Sequence, residues 1–290
     1  MMSTPDFVRP KDLAEALKYL ADPERQSTIL AGGTDIIPGL HQKSQRFSSI
    51  KRLIAVDHLS ELNRIKKNKS NIEIGAAVTF SRLADDPIIR SVLPILSDAA
   101  GRIGSVQIRN RATIAGNFVN NAPCADSGPP LLVYDARIRL RSLRNETEIP
   151  LNEFLTGPYK TRLKPDQLVT AVIIPAPGSD WSGKFYKLGR RRGVAVSRIS
   201  LAILLKKRGP VIRSVRIACG AVTPVAVRLQ TLEERCAGQE ATPDFLRNIS
   251  ARLGEEVLKI TGLRWSTPYK LPVLQQIFYQ ILGELTEPGS

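Results

Sequence analysis

The segment that most constrains this chain runs from residue 107 to residue 130 and reads QIRNRATIAGNFVNNAPCADSGPP. Residues 113–117, TIAGN, combine two β-favouring residues, two small ones and an asparagine that tolerates a left-handed conformation. The chain can therefore bend sharply here and direct successive N–H groups outward, as a diphosphate site requires. The alternative is an ordinary Gly-Asn turn between two buried segments, which is the commoner reading for an isolated Ala-Gly-Asn.

A second bend of the same kind occurs earlier, where residues 28–36 read TILAGGTDI. Gly32 and Gly33 allow the backbone to approach a ligand closely, and the Thr34 hydroxyl can donate to a phosphate oxygen. Asp35 cannot bind phosphate itself, so it either orders the loop by accepting N–H bonds or meets a ribose hydroxyl. Neither bend is the GxGxxG fingerprint of dinucleotide-binding Rossmann folds. Two such bends in one chain nevertheless favour a phosphate-bearing ligand over two unrelated turns.

The two bends and the segments around them resemble one protein family. AGGTD and TIAGN, followed by NAPCADSGPPLL, LLVYDARI, FLTGP and FYKLGRRRG, are similar to the FAD-binding medium subunit of the molybdenum hydroxylases, the xanthine dehydrogenase and carbon monoxide dehydrogenase family. The resemblance covers nearly the whole chain and implies an α+β fold. We expect a PCMH-type FAD-binding domain over residues 1–176, with lobes of about 1–57 and 58–176. A C-terminal domain over residues 182–286, with a three-stranded antiparallel sheet and helices, would follow.

The resemblance implies that FAD binds without a covalent link and is held by both lobes. On the adenine-diphosphate side it assigns residues of the first lobe: Thr28, Ile29, Leu30, Ala31, Gly32, Gly33, Thr34 and Asp35. From the second lobe it assigns the second bend and its neighbour: Ala112, Thr113, Ile114, Ala115, Gly116 and Asn117.

Three more positions match cofactor contacts of the family, each with an alternative. Asp126 matches an aspartate that contacts the cofactor, and its alternative role is an Asx-turn before Ser127. Lys187 matches a lysine near the flavin, where a positive charge would stabilise reduced, anionic flavin; the alternative is a solvent-facing lysine on an edge strand. Val169 or its neighbour Leu168 matches an apolar position whose backbone touches the cofactor, and for either one a purely core role is equally possible.

The chain departs from the family pattern at three places. Ala115 stands where the usual TIGGN has glycine, which is tolerable if its φ is negative and no phosphate oxygen lies over its Cα. Ile103 occupies the position of an aromatic over the flavin in animal xanthine dehydrogenases. The loop Arg190–Gly193 is basic where the animal enzymes are acidic. It could bind NAD⁺ phosphates or an acidic redox protein; the alternative is a charge run that is simply solvated.

The resemblance implies an oxidoreductase subunit without a catalytic residue or metal site of its own. It would accept electrons from a [2Fe-2S] small subunit and pass them through FAD to NAD⁺ or another acceptor, while a large molybdopterin subunit hydroxylates the substrate. A dimer of such heterotrimers is one assembly this allows. The alternative is a stand-alone PCMH-type flavin oxidase or reductase. Such enzymes often tether FAD through histidine or cysteine, and neither His41 nor His58 lies at a matching tether position.

Composition excludes several other classes. The net charge of +15 invites a nucleic-acid interpretation, but the basic residues are scattered and no zinc-finger, bZIP or RRM pattern accompanies them. No apolar run approaches the roughly 18 residues that a membrane span needs. Three cysteines without a CxxC argue against an internal iron–sulfur cluster or a disulfide framework. We therefore expect a cytoplasmic protein without a membrane span.

Local patterns predict several secondary-structure elements. Ile72 and Ile74 alternate with polar neighbours as in a strand, the run 131–134 reads as a strand, and 175–183 reads as a linker. Strands are predicted near 185–188, 199–205 and 215–221. Thr231 with Glu234 predicts a capping box, and two stripes of apolar residues at helical spacing follow it.

Overall fold

The structure of the protein is a computed structural model that describes residues 4–189 and 196–287. Mixed helices and strands confirm the predicted α+β class. The basic loop Arg190–Gly193 lies outside the described residues. Within the described ranges, no helix has both the length and the apolar character needed to cross a membrane.

The first lobe is a three-stranded parallel sheet with two helices. Its strands are β1 (Asp6–Val8), β2 (Ser27–Leu30) and β3 (Arg52–Ala55), in the order β1-β3-β2, and the central β3 is buried along its length. Helix α1 (Leu13–Leu20) begins where the Asp12 carboxylate accepts the Glu15 N–H at 2.8 Å. Helix α2 (Ile36–His41) directly follows the AGGTD bend. The bend therefore connects the end of a parallel strand to the start of a helix.

The second lobe is built on a five-stranded antiparallel sheet of order β4-β5-β10-β6-β7, beside a small hairpin of β8 and β9. The strands are β4 (Ile65–Lys67), β5 (Asn71–Gly75), β6 (Arg137–Arg141), β7 (Glu146–Pro150), β8 (Leu155–Gly157), β9 (Lys160–Thr161) and β10 (Leu168–Pro175). The helices are α3 (Phe80–Asp85), α4 (Pro87–Val92), α5 (Pro94–Gly101), α6 (Val106–Arg109), α7 (Ile114–Asn120), α8 (Gly128–Val133) and α9 (Leu151–Phe154). Strand β5 confirms the alternating pattern at Ile72 and Ile74.

The prediction of a strand at residues 131–134 is wrong, because this apolar run belongs to helix α8. Pro129 and Pro130 lie in the first turn of that helix, where proline is favoured because its missing N–H would have no helical partner. All six residues of α8 are buried. A short run that is apolar on every side has no periodicity that distinguishes a buried helix from a buried strand.

The C-terminal part is an antiparallel sheet of four strands covered by helices. Its strands are β11 (Trp181–Gly189), β12 (Ser197–Arg208), β13 (Val211–Gly220) and β14 (Val227–Arg228), in that order. Its helices are α10 (Gln230–Cys236), α11 (Pro243–Thr261) and α12 (Thr267–Thr286). The three predicted strands are present, and the two-residue β14 adds a fourth that was too short to leave a pattern. The capping box is wrong: Thr231 lies inside α10, whose N-terminus has no side-chain cap.

The C-terminal sheet is buried on both faces. Ala202 and Leu204 of β12 belong to the core of the two N-terminal lobes, whereas Leu201, Ile203 and Leu205 pack with the helices α11 and α12. Successive side chains of a strand point to opposite faces, so one strand serves two cores. This shared strand joins the C-terminal sheet to the lobes through a continuous apolar contact.

Candidate functional site

A cleft of about 460 Å³ lies between the two lobes. The predicted residues of the first lobe that line it are Thr28, Ile29, Ala31, Gly32, Gly33, Thr34 and Asp35. Those of the second lobe are Ile103, Ala112, Thr113, Ala115, Gly116, Asn117 and Val169. Apolar walls with a few polar groups are typical of cofactor sites.

The two bends face each other across a direct backbone contact. A Cβ placed on Gly32 would lie 2.0 Å from the carbonyl oxygen of Arg111 and 3.0 Å from the Cα of Ala112. Only glycine therefore allows the first bend to pack against the residues that lead into the second. Gly33, at φ +73°, adopts the left-handed conformation that glycine accepts most easily. The glycine pair thus serves both the contact between lobes and the shape of the loop.

The first bend has free N–H groups. None of the backbone N–H groups of Gly32, Gly33, Thr34 and Asp35 finds an acceptor in the part of the chain that the structure describes. They immediately precede helix α2, whose dipole adds positive potential at its N-terminus. Asp35 is exposed and its side chain makes no cap hydrogen bond. Of its two predicted roles, the one in which the carboxylate orders the loop by accepting N–H bonds is therefore wrong. These donors, beside an apolar cleft, fit a diphosphate group.

The second bend differs from the expectation that its N–H groups point outward. Thr113 caps helix α7, its hydroxyl accepting the Gly116 N–H at 3.2 Å, and its carbonyl accepts the Asn117 N–H. The N–H groups of Ile114 and Ala115 donate to the carbonyls of Val78 and Ala76. TIAGN is therefore a helix start in which four of the five N–H donors bond within the protein, and it contributes a wall to the cleft. Ala115 lies in this helix with negative φ, which meets one of the two conditions for its methyl group.

Asp126 and Lys187 form a buried ion pair outside the lining of the cleft. The Lys187 Nζ lies 2.7 Å from the Asp126 Oδ2 and also donates to the Arg102 carbonyl at 2.9 Å. Their side chains are 9% and 6% exposed, and the Ser197 hydroxyl donates to the other oxygen of Asp126. Burial raises the pKa of the Asp126 carboxyl, while Lys187 and Ser197 oppose that shift. Lys187 is thus neither in solvent nor on the cleft surface.

The ion pair adjoins the cleft through its neighbours in sequence. Arg102 precedes Ile103, which lines the cleft, and the Ser127 hydroxyl donates to the Asn117 side chain at 2.7 Å. Two other predicted residues are also outside the lining: Leu30 packs with Ile50 and Leu53, and Ile114 is fully buried in the main core.

The cleft also contains residues that the sequence did not predict. They include Arg46, Phe47, Asn120, Lys164 and Gln167, of which Arg46 and Lys164 carry positive charge. No motif marks Arg46, which lies in a short 3-10 helix (Gln45–Phe47) after α2. Lys164 and Gln167 lie on either side of the Pro165–Asp166 pair, just before β10, which contains Val169.

Two family models match the chain over adjoining segments. Residues 2–177 match the family described as the FAD binding domain in molybdopterin dehydrogenase. Residues 184–285 match the CO dehydrogenase flavoprotein C-terminal domain. Together they account for nearly all of the described residues.

Individual relatives align over almost their whole length. A putative xanthine dehydrogenase FAD-binding subunit of Escherichia coli K12 is 32% identical over 286 residues, covering 98% of this chain and 97% of that one. The glyceraldehyde dehydrogenase medium chain of Sulfolobus acidocaldarius is 28% identical, covering 98% and 100%. A chain of the carbon monoxide dehydrogenase structure from Hydrogenophaga pseudoflava superposes with a TM-score of 0.89, at 24% identity over 98% and 97%. That last likeness supports the fold.

Proposed function

Because the chain belongs to the family of FAD-binding subunits of molybdenum hydroxylases, oxidoreductases of the xanthine and CO dehydrogenase type, we propose that it transfers electrons between FAD and partner subunits. The observation that carries the proposal is the interlobe cleft with its four free N–H groups. FAD supplies redox chemistry that amino-acid side chains do not, since it exchanges electrons with one-electron and two-electron partners. The protein residues bind, orient and electrostatically tune this cofactor.

We propose that the first bend binds the diphosphate. Gly32, Gly33, Thr34 and Asp35 offer N–H donors at the N-terminus of α2, and the Thr34 hydroxyl adds another donor. The exposed Asp35 carboxylate would repel phosphate, so we assign it to a ribose hydroxyl. Helix α7 forms the opposite wall, where its short side chains at Ala115 and Gly116 leave room for the ligand.

Lys187 acts on the flavin through the electric field rather than by contact. Its ammonium donates to the carbonyl of Arg102, the residue before Ile103, and is paired with Asp126, so its positive charge is largely compensated. A buried pair of this kind presents a dipole to the cleft in a medium of low dielectric constant. Reduced, anionic flavin would be favoured to the extent that the ammonium lies nearer to the ring than the carboxylate does.

The partners and the electron path are part of the same proposal. Electrons would enter from a [2Fe-2S] subunit and leave to NAD⁺ or another acceptor, and a molybdopterin subunit would bind and hydroxylate the substrate. The relatives support this division, since several are named medium chains or FAD-binding subunits. The net charge of +15 would favour association with acidic partners.

The purified full chain tests the proposal. We expect it to bind one FAD per chain, to oxidise NADH at most with artificial dyes, and to hydroxylate no purine. Failure to bind FAD would contradict the assignment of the cleft. Hydroxylation of a purine, or turnover of an organic substrate without partners, would replace the electron-transfer role with that of a stand-alone flavin enzyme.

A further inference from the structure

Arg46 connects the two lobes beside the cofactor cleft. Its guanidinium carbon lies 4.7 Å from the ring centroid of Phe47 in the same lobe and 4.2 Å from that of Tyr159 in the other. The Nη2 of Arg46 also donates to the side-chain oxygen of Asn120. Arg46, Phe47 and Asn120 line the cleft and Arg46 is exposed, so this contact lies where the cleft meets solvent.

The structure holds Tyr159 in an unusual conformation. It has a φ of +58° and lies in the turn of the β8–β9 hairpin, directly after the FLTGP segment. Its N–H donates to the Asn121 carbonyl at 2.8 Å, and the Asn121 Nδ2 donates to the carbonyls of Gly157 and Lys160. A tyrosine in the left-handed region costs about 1–2 kcal/mol and persists only where its surroundings impose it.

The hairpin is linked to the wall of the cleft. Asn121, at φ +45°, is the C-terminal cap of α7, the helix whose N-terminal cap is Thr113. On the other side, Phe47 packs over Gly39, where a Cβ would lie 2.2 Å from the ring. Both aromatic partners of Arg46 are therefore held in place by the backbone around them.

We propose that Arg46, Phe47 and Tyr159 form an interlobe latch that controls how fast FAD leaves the cleft. This inference rests on the proposed function, because it takes FAD as the ligand between the lobes. Release requires the lobes to part, and parting separates Arg46 from Tyr159 and Asn120. Arg46 is a positioning residue in this view, since it holds the lobes in place.

The substitution Tyr159→Gly tests the latch. It removes the ring and also relieves the positive φ, so the FAD-free chain keeps its melting temperature or gains stability. Loss of this solvent-exposed cation–π contact should accelerate FAD release by about twofold to fivefold. Release is followed by the recovery of flavin fluorescence after dilution of the FAD-loaded full chain, and stability by thermal unfolding of the FAD-free chain.

Matched variants identify the contact that matters. Tyr159→Phe keeps the ring and should release FAD at about the wild-type rate. Arg46→Gln should accelerate release as Tyr159→Gly does, and the double variant should add little to either single one. Arg144→Gln, which removes an exposed arginine in the β6–β7 turn, is the control for charge and should leave the rate unchanged.

The outcomes separate the latch from the proposed function. A wild-type chain that binds no FAD contradicts the function itself. If the wild type binds FAD and both Tyr159→Gly and Arg46→Gln release it at the wild-type rate, the latch is wrong while the function stands. Equal acceleration by Tyr159→Phe and Tyr159→Gly would also overturn the latch, since the ring would then have no role.

Discussion

Gly32→Ala tests the backbone contact on which the cleft depends. The added Cβ would lie 2.0 Å from the Arg111 carbonyl oxygen and 2.6 Å from its carbon. Real Cβ contacts are essentially never closer than 3.0 Å, so the two bends must separate by about 1 Å or more. The neighbour is backbone, which cannot rotate away as a flexible side chain can.

Overpacking of this kind costs about 1–3 kcal/mol. Separation of the bends also moves the N–H donors of residues 32–35, so we expect part of this cost to appear in FAD binding. A loss of 1–3 kcal/mol weakens affinity by about 5-fold to 150-fold. The remainder lowers the free energy of unfolding of the FAD-free chain.

Fluorescence titration gives the dissociation constant of FAD, and urea denaturation gives the free energy of unfolding. Gly101→Ala is the matched control: its Cβ would meet nothing closer than the Ala84 Cβ at 3.9 Å. As Gly101 ends helix α5, this control should bind FAD normally and be equally or more stable. Wild-type FAD affinity and stability in Gly32→Ala would refute the close approach of the two bends.

Three further substitutions follow from the structure. Ala115→Gly should cost about 1 kcal/mol of stability and leave FAD affinity within about twofold, because Ala115 is helical; a large gain in affinity would show that its methyl obstructs the ligand. Lys187→Met should destabilise the FAD-free chain by about 3–5 kcal/mol in urea, and adding Asp126→Asn should recover part of this loss, because the single change leaves a buried carboxylate unpaired. Burial raises the pKa of Cys219 and of Cys236 from 9.0 to about 12, so only the unfolded chain ionises these thiols between those values. Between pH 9 and about pH 12 the free energy of unfolding should fall by up to about 1.4 kcal/mol per pH unit for each thiol. The Cys219→Ala/Cys236→Ala variant should show a less steep fall.

Local chemistry made the first bend predictable. Paired glycines after an apolar strand allow backbone conformations that few other residues adopt, and Gly33 has the positive φ that such a loop uses. The apolar faces of α11 and α12 were also predictable from local sequence. Apolar residues that recur about every 3.6 positions indicate a helix without any information from distant segments. The order of several such segments was enough to indicate the family.

Contacts between distant residues were decided only by the folded chain. Nothing local distinguishes the TIAGN turn from a helix start whose N–H groups bond to Val78 and Ala76. Lys187 is adjacent to Asp126, and Arg46 to Tyr159, because sheets and helices bring together segments far apart in sequence. A sequence pattern records the conformations that each residue favours, whereas burial and pairing depend on which surfaces meet when the lobes pack.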